Sequence, residues 1–400
     1  MRLYIDKVEG TLNNVVLDDM ILTKDLTTTA GSKMLDGYKI LFEAELVTRL
    51  KEKGYNISGK VNTGEFNLDF LGETSFLKNE ENDLQEFNNA MSNILKNEDV
   101  VAGLTLEVNG SSIRTAGLNN LVYLKPTYCL VSRFGTIASA CSGETVGIMA
   151  KESKDCREIF SVISGHDSKD GTSLQDDFCV ALKDKKSKKE IKKIAIAKSM
   201  LSDIDDDSKK IVDKFIEDAK KINVEIEYLD ADELLLAKPV LNVLMSAEVC
   251  NNVSRYDGIK YGYRTKNYTS IDELYTNSRT EAFGYLLKST ILYGSDALST
   301  ENYLKKYDKA LRVRRIISNY VEKVFDEYDA ILLPVSSKQK YTRKEIVENK
   351  TIAYDESKFT SPTMITGNPT LVIGGVQLIG QKLSEDSLLD FANRYEKEIR

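Results

Sequence analysis

The stretch IKKIAIAKSMLSDIDDDSKKIVDKFIEDAKKINVEIEYL, residues 191–229, reads as strand, amphipathic helix, strand. IKKIAIA (191–197) is a short apolar run that suits a strand. In DDDSKKIVDKFIEDAKKIN (205–223), Ile211, Phe215, Ala219 and Ile222 fall on one helical face. The aspartates at 205–207 favour the positive end of that helix's dipole. VEIEYL (224–229) supplies a second strand. Strand, helix, strand is a βαβ unit and implies parallel pairing.

The same grammar recurs at 41–61, where Leu46, Val47 and Leu50 line a helix stopped by Gly54 and YNISGKV follows as a strand. VVAGLTLEV (100–108), YDAILLPV (328–335) and the pair TLVIGG and VQLIG (370–380) add strands. Helical patterns cover roughly 238–252, 272–291, 300–326 and 385–399. DLQEFNNAMSNILKN (83–97) reads as an uninterrupted amphipathic helix, with Leu84, Phe87, Met91 and Ile94 on one side. The expectation is an α/β fold with a mixed sheet covered by helices on both faces. Residues 1–400 are expected to form a single domain, with a subsidiary helical layer at about 238–326.

Four hundred residues can bury a large core, and 42% apolar with 29% charged residues is ordinary for a globular chain. No run of eighteen apolar residues occurs and MRLYIDKVEG has no signal-peptide pattern, so no membrane association and a cytoplasmic location are expected. A net charge of −7 argues against a broadly basic nucleic-acid face. Cys129, Cys141, Cys156, Cys179 and Cys250 are odd in number and lack a C-x-x-C pair, which suits reduced thiols. His166 is the one histidine. Ser-His-Asp triads and histidine metal clusters would therefore have to rest on that residue alone. The lysine-rich run at 183–193 reads as a solvated face.

Several longer motifs resemble the amidase signature family and, within it, the A-subunit branch of the tRNA-dependent amidotransferases. They are TKDLTTTAGSKML (23–35), GYNISGKVNTGEF (54–66), GSSIRTAGLNNLVYLKPTYCLVSRFG (110–135), SGHDSKDGTS (164–173) and SAEVCNNVSRYDGIKYGYR (246–264), in the family's order. The resemblance runs from about residue 15 to the C-terminus. It implies the amidase signature fold, with the usual N-terminal helices truncated and the loop near 369–375 shortened. It implies no cofactor.

Such enzymes use a Ser-Ser-Lys triad, in which a lysine relays a proton through a bridging serine to the nucleophilic serine. A hydroxyl is a poor nucleophile until a base takes its proton. On the resemblance, Ser112 holds the nucleophile position, with Ser111 where the family has a second glycine and Val108 where it has aspartate. A glycine there lets backbone N–H groups approach a developing oxyanion, and a Cβ is expected to restrict that approach. Asn88 falls at the bridging-serine position and Asp18 at the lysine position, with its charge reversed. The aspartate, arginine and tyrosine with which A subunits grip glutamine correspond to Ser357, Thr290 and Leu241. Hydroxyls do not replace a bidentate guanidinium and its counter-charge.

Ser112 therefore reads as a vestigial nucleophile, since triad members lose most of their value singly. Asp18 could act as its base, but a capping or ion-pairing role is the commoner use of such a residue. Lys24, Lys33 and Lys60 are expected to be structural, His166 a loop residue, and RYDGIKYGYR either a contact surface or an ordered loop. These readings imply a degenerate protein resembling the amidotransferase A subunits. It would be kept for assembly with B- or C-type subunits or an A-type paralogue, touching tRNA only indirectly. The alternative is a hydrolase acting through Ser112 with a rewired base. A ligand sensor using the emptied cleft is a third reading.

Overall fold

The computed structural model describes residues 2–8, 12–77, 89–177 and 190–399. Its centre is an eleven-stranded mixed sheet. In chain order the strands are β1 (Tyr4–Lys7), β2 (Asn14–Asp18), β3 (Asn56–Val61), β4 (Ala102–Glu107), β5 (Val122–Lys125), β6 (Thr145–Ala150), β7 (Lys193–Ala197), β8 (Glu225–Leu229), β9 (Ala330–Pro334), β10 (Thr370–Ile373) and β11 (Val376–Gly380). Their spatial order is β1-β3-β2-β4-β6-β5-β10-β11-β9-β7-β8. β2 pairs in parallel with β3 and β4, as β7 does with β8 and β9. Antiparallel strands join these two parallel blocks into one sheet. Strands buried on both faces, such as Ile194–Ala197 and Ala330–Pro334, are continuously apolar for that reason.

The expected βαβ unit is present. Its helix spans Asp206–Lys221, Asp205 caps it by accepting from Ser208 N at 2.7 Å, and Phe215 and Ala219 are fully buried. TLVIGG and VQLIG form a two-residue hairpin whose central Gly374 and Gly375 both have positive φ, at 60° and 82°. That turn matches the right-handed twist of its strands and is open chiefly to glycine.

Three expectations about helices need correction. The helix expected over 83–97 begins at Ala90 and ends at Asn97; we call it α1. Asn89 is extended and caps it, its Oδ1 accepting from Met91 N at 2.8 Å, so the helical hydrophobic spacing continues past a residue that stops the helix. Asn88 lies outside the described residues. The 272–291 pattern is two helices, Ile271–Ala282 and Tyr285–Leu298, broken where the Glu65 carboxylate accepts from Gly284 N at 2.8 Å. The 300–326 pattern forms a helix only over Tyr307–Val324. The Ala237–Val253, Tyr285–Leu298 and Tyr307–Val324 helices pack together over one part of the sheet, while Ile271–Ala282 lies against the turn at Lys33–Leu35. Among the described residues, no helix is long and apolar enough to cross a membrane. Cys129, Cys141, Cys156 and Cys250 are free thiols, and Cys179 lies outside the described residues.

Candidate active site

Because β2 and β4 are parallel neighbours, with Leu17 opposite Leu104, their carboxyl ends lie side by side. β2 ends in Asp18 and β4 in Glu107. After Glu107 the chain turns through Asn109 and Gly110 into a helix, α2, spanning Ser111–Leu118. Open α/β sheets characteristically offer their sites at such strand ends. Here Asp18, Ser112, Ser111, Asn67, Asp69 and Asn89 line a cavity of about 30 Å³. That volume holds roughly one or two water molecules.

The turn depends on Gly110. It has φ 88°, and a Cβ on it would meet Thr360 Oγ1 at 2.1 Å. Ser111, by contrast, is the first helical residue, in a conformation any residue adopts. The residue of this turn that its left-handed backbone reserves for glycine is therefore Gly110.

Those donors are engaged in another way. Glu107 is fully buried and its carboxylate curls over the start of α2. One oxygen accepts from Gly110 N at 2.8 Å and Val108 N at 3.2 Å, the other from Ser112 N and Ile113 N at 3.1 Å each. The Tyr123 hydroxyl donates to the second oxygen at 3.4 Å, and it also pairs with the side chains of Thr105 and Ser112. Reading the sequence does not pick out Glu107. The available signal is a lone acid closing an otherwise apolar strand just before a helix start.

Asp18 occupies the cavity's other wall. Its Oδ1 accepts from Met20 N at 2.8 Å, and its Oδ2 from Asn67 Nδ2 at 2.6 Å and Leu106 N at 3.3 Å. Burial pushes its carboxyl up to about 6, while the Met20 and Asn67 hydrogen bonds and the charge of Lys60 pull the other way. Lys60 Nζ donates to the carbonyls of Asp18 (3.0 Å) and Ile21 and lies 3.8 Å from Asp19 Oδ1. It is a buried pin between the turn after β2 and the end of β3. Lys33 lies 4.2 Å over the Tyr263 ring, and Lys24 is exposed.

The three positions compared with glutamine-binding residues do not join Asp18 and Ser112 in this cavity. Leu241 is buried and, with Val108, lines a separate space of about 10 Å³. Thr290 Oγ1 donates to Leu286 O at 2.9 Å within its own helix, and Ser357 Oγ does likewise to Tyr354 O at 2.7 Å. His166 makes local contacts: its N–H donates to Asp176 Oδ1 at 3.0 Å, and Arg49 donates to its carbonyl at 2.8 Å. In RYDGIKYGYR, Tyr256 is buried between Phe66 and Tyr261, with ring centroids 5.5 Å apart in each case, while Arg255 and Lys260 are exposed.

A mixed sheet whose parallel strand ends deliver a Gly-Ser-Ser-Ile-Arg helix start is the architecture of an amidase. The sequence profile of the family described as Amidase matches residues 6–87 and 100–389, and the chain belongs to that family. Within it, the chain is similar to the A subunits of glutamyl-tRNA(Gln) amidotransferase. It is 33% identical to those of Caldanaerobacter subterraneus subsp. tengcongensis and Streptococcus agalactiae, over 96% of this chain and 82% of each relative. The crystal structure of the Thermotoga maritima A subunit superposes with a TM-score of 0.79 at 24% identity, covering 99% of this chain and 87% of that one. An allophanate hydrolase of Kluyveromyces lactis shares the fold, with a TM-score of 0.79 at 21% identity, over 97% of this chain and 62% of that one.

Proposed function

We propose that this chain is a non-catalytic relative of the A subunits, kept in the cytoplasm for assembly into an amidotransferase-type complex with B- or C-type subunits or an A-type paralogue. The observation that carries the proposal is Asp18. At the position of the family's catalytic lysine stands a carboxylate whose two oxygens already accept three hydrogen bonds. A general base must lie within hydrogen-bond reach of the hydroxyl it deprotonates. No hydrogen bond joins Asp18 to Ser112 among the described residues, and the Ser112 side chain pairs with Tyr123. The small cavity and the in-helix hydrogen bonds of Thr290 and Ser357 support the same reading. Co-expression with amidotransferase B- and C-type subunits should yield a complex that survives size exclusion and releases no ammonia from glutamine. A monomer that ignores those subunits, or measurable ammonia release, overturns the proposal.

One observation favours the second reading, hydrolysis through Ser112. A carboxyl held at about 6 is matched in strength to base catalysis near neutrality, and it shares a cavity with Ser112. A fluorophosphonate probe separates the two readings. Labelling of the wild type that disappears in both Ser112→Ala and Asp18→Asn would establish the hydrolase, and an unlabelled wild type removes it.

A further inference from the structure

We propose that Glu107 is a built-in ligand: its carboxylate fills a small-carboxylate site formed by the backbone N–H groups at the start of α2 together with the Tyr123 hydroxyl. Four N–H donors within 3.2 Å and one hydroxyl at 3.4 Å converge on its two oxygens. This is the donor density of an anion site, made of a turn, a helix N-terminus and a side chain from strand β5. The surroundings supply positive charge as well. Burial disfavours the charged forms of Arg114 and Lys125, and the charge of Glu107 acts on both in the opposite sense. Arg114 is held by Asn109 O at 3.3 Å and Thr360 Oγ1 at 3.2 Å, and Lys125 by Asn368 O at 2.6 Å, so both cations stay in place without Glu107.

The consequence concerns Ser112 directly. Its own N–H, and that of Gly110 two residues earlier, both donate to the Glu107 carboxylate. With a carboxylate already on them, they have no capacity for an oxyanion. This obstacle is separate from the missing base, because a chain with a working base would still have to displace Glu107.

Truncating Glu107 should leave an empty site for a small monocarboxylate. Glu107→Ala and Glu107→Gln would be compared with the wild type by thermal unfolding during titration with sodium formate, against sodium chloride at equal concentration. Glu107→Ala is expected to melt well below the wild type and to regain at least half the loss in formate, saturably, with the larger acetate less effective. The wild type should show no formate-specific shift, because its site is full. Glu107→Gln should show none either, since the amide occupies the same space. Should Glu107→Ala fold too poorly to melt, its refolded yield in formate against chloride answers the same question. An unchanged melting point in Glu107→Ala, equal responses in variant and wild type, or equal refolded yields overturns the proposal.

Discussion

At the end of β2, Asp18 holds its buried carboxylate between Met20 N, Asn67 Nδ2 and Leu106 N. Its type alone reversed the charge expected at that position, but its capture by Met20, Asn67 and Leu106 comes from three separate chain segments. The carboxyl titrates near its ordinary 3.8 in the unfolded chain and near about 6 when folded. Between these values the folded state holds the extra proton, so this residue's contribution is fully present below about pH 4 and is lost as pH rises through 6. Asp18→Asn, which carries no such penalty, should therefore gain on the wild type by about 1–3 kcal/mol between pH 4 and pH 7 in urea unfolding. A difference that stays flat across that range would contradict a buried, desolvated Asp18. Asp18→Ala, which strips Met20 N of its side-chain acceptor, should cost about 1–3 kcal/mol at pH 5 by the same measurement.

At the scale of elements, helix ends were decided by contacts that periodicity does not carry. The helical spacing runs through Phe283 and Gly284, yet the chain breaks there because Glu65, distant in sequence, caps Gly284 N and is itself held by Ser32 Oγ at 2.7 Å. Glu65→Ala should cost about 1–2 kcal/mol by denaturant unfolding and raise amide exchange in the first turn of the Tyr285–Leu298 helix before the rest of it. The long helix Ile352–Thr366 is hidden in the sequence for the opposite reason. Phe359 to Thr366 is buried without interruption, so no polar face marks it, and Pro362 sits inside it. The β10–β11 hairpin was readable throughout, from Gly374-Gly375 between two apolar runs. Gly375→Ala places a Cβ in the left-handed region and 2.7 Å from Ile211 Cγ2. A loss of about 1–3 kcal/mol in urea unfolding is expected, and full retention of stability would contradict the turn.

At the scale of the whole molecule, the two parallel blocks are joined by continuous strand pairing. One hydrophobic cluster runs from Val15 and Ile57 at one side of the sheet to Ile194, Ile196 and Phe215 at the other. A core shared in this way should unfold as a unit, so calorimetry is expected to show a single transition. Two well-separated transitions, with the Ala237–Val324 helices melting apart from the sheet, would show that these regions have separate cores.

The sequence alone determined the α/β class, the parallel βαβ unit and the family, because strand and helix periods are local and the motifs are contiguous. It also singled out Ser112 and Asp18. Only the tertiary structure decided what those residues do. Which backbone N–H groups a carboxylate meets depends on segments distant in sequence, so the engagement of Asp18 with Leu106 and the carboxylate of Glu107 on the Ser112 donors became visible only once the strand ends were set side by side.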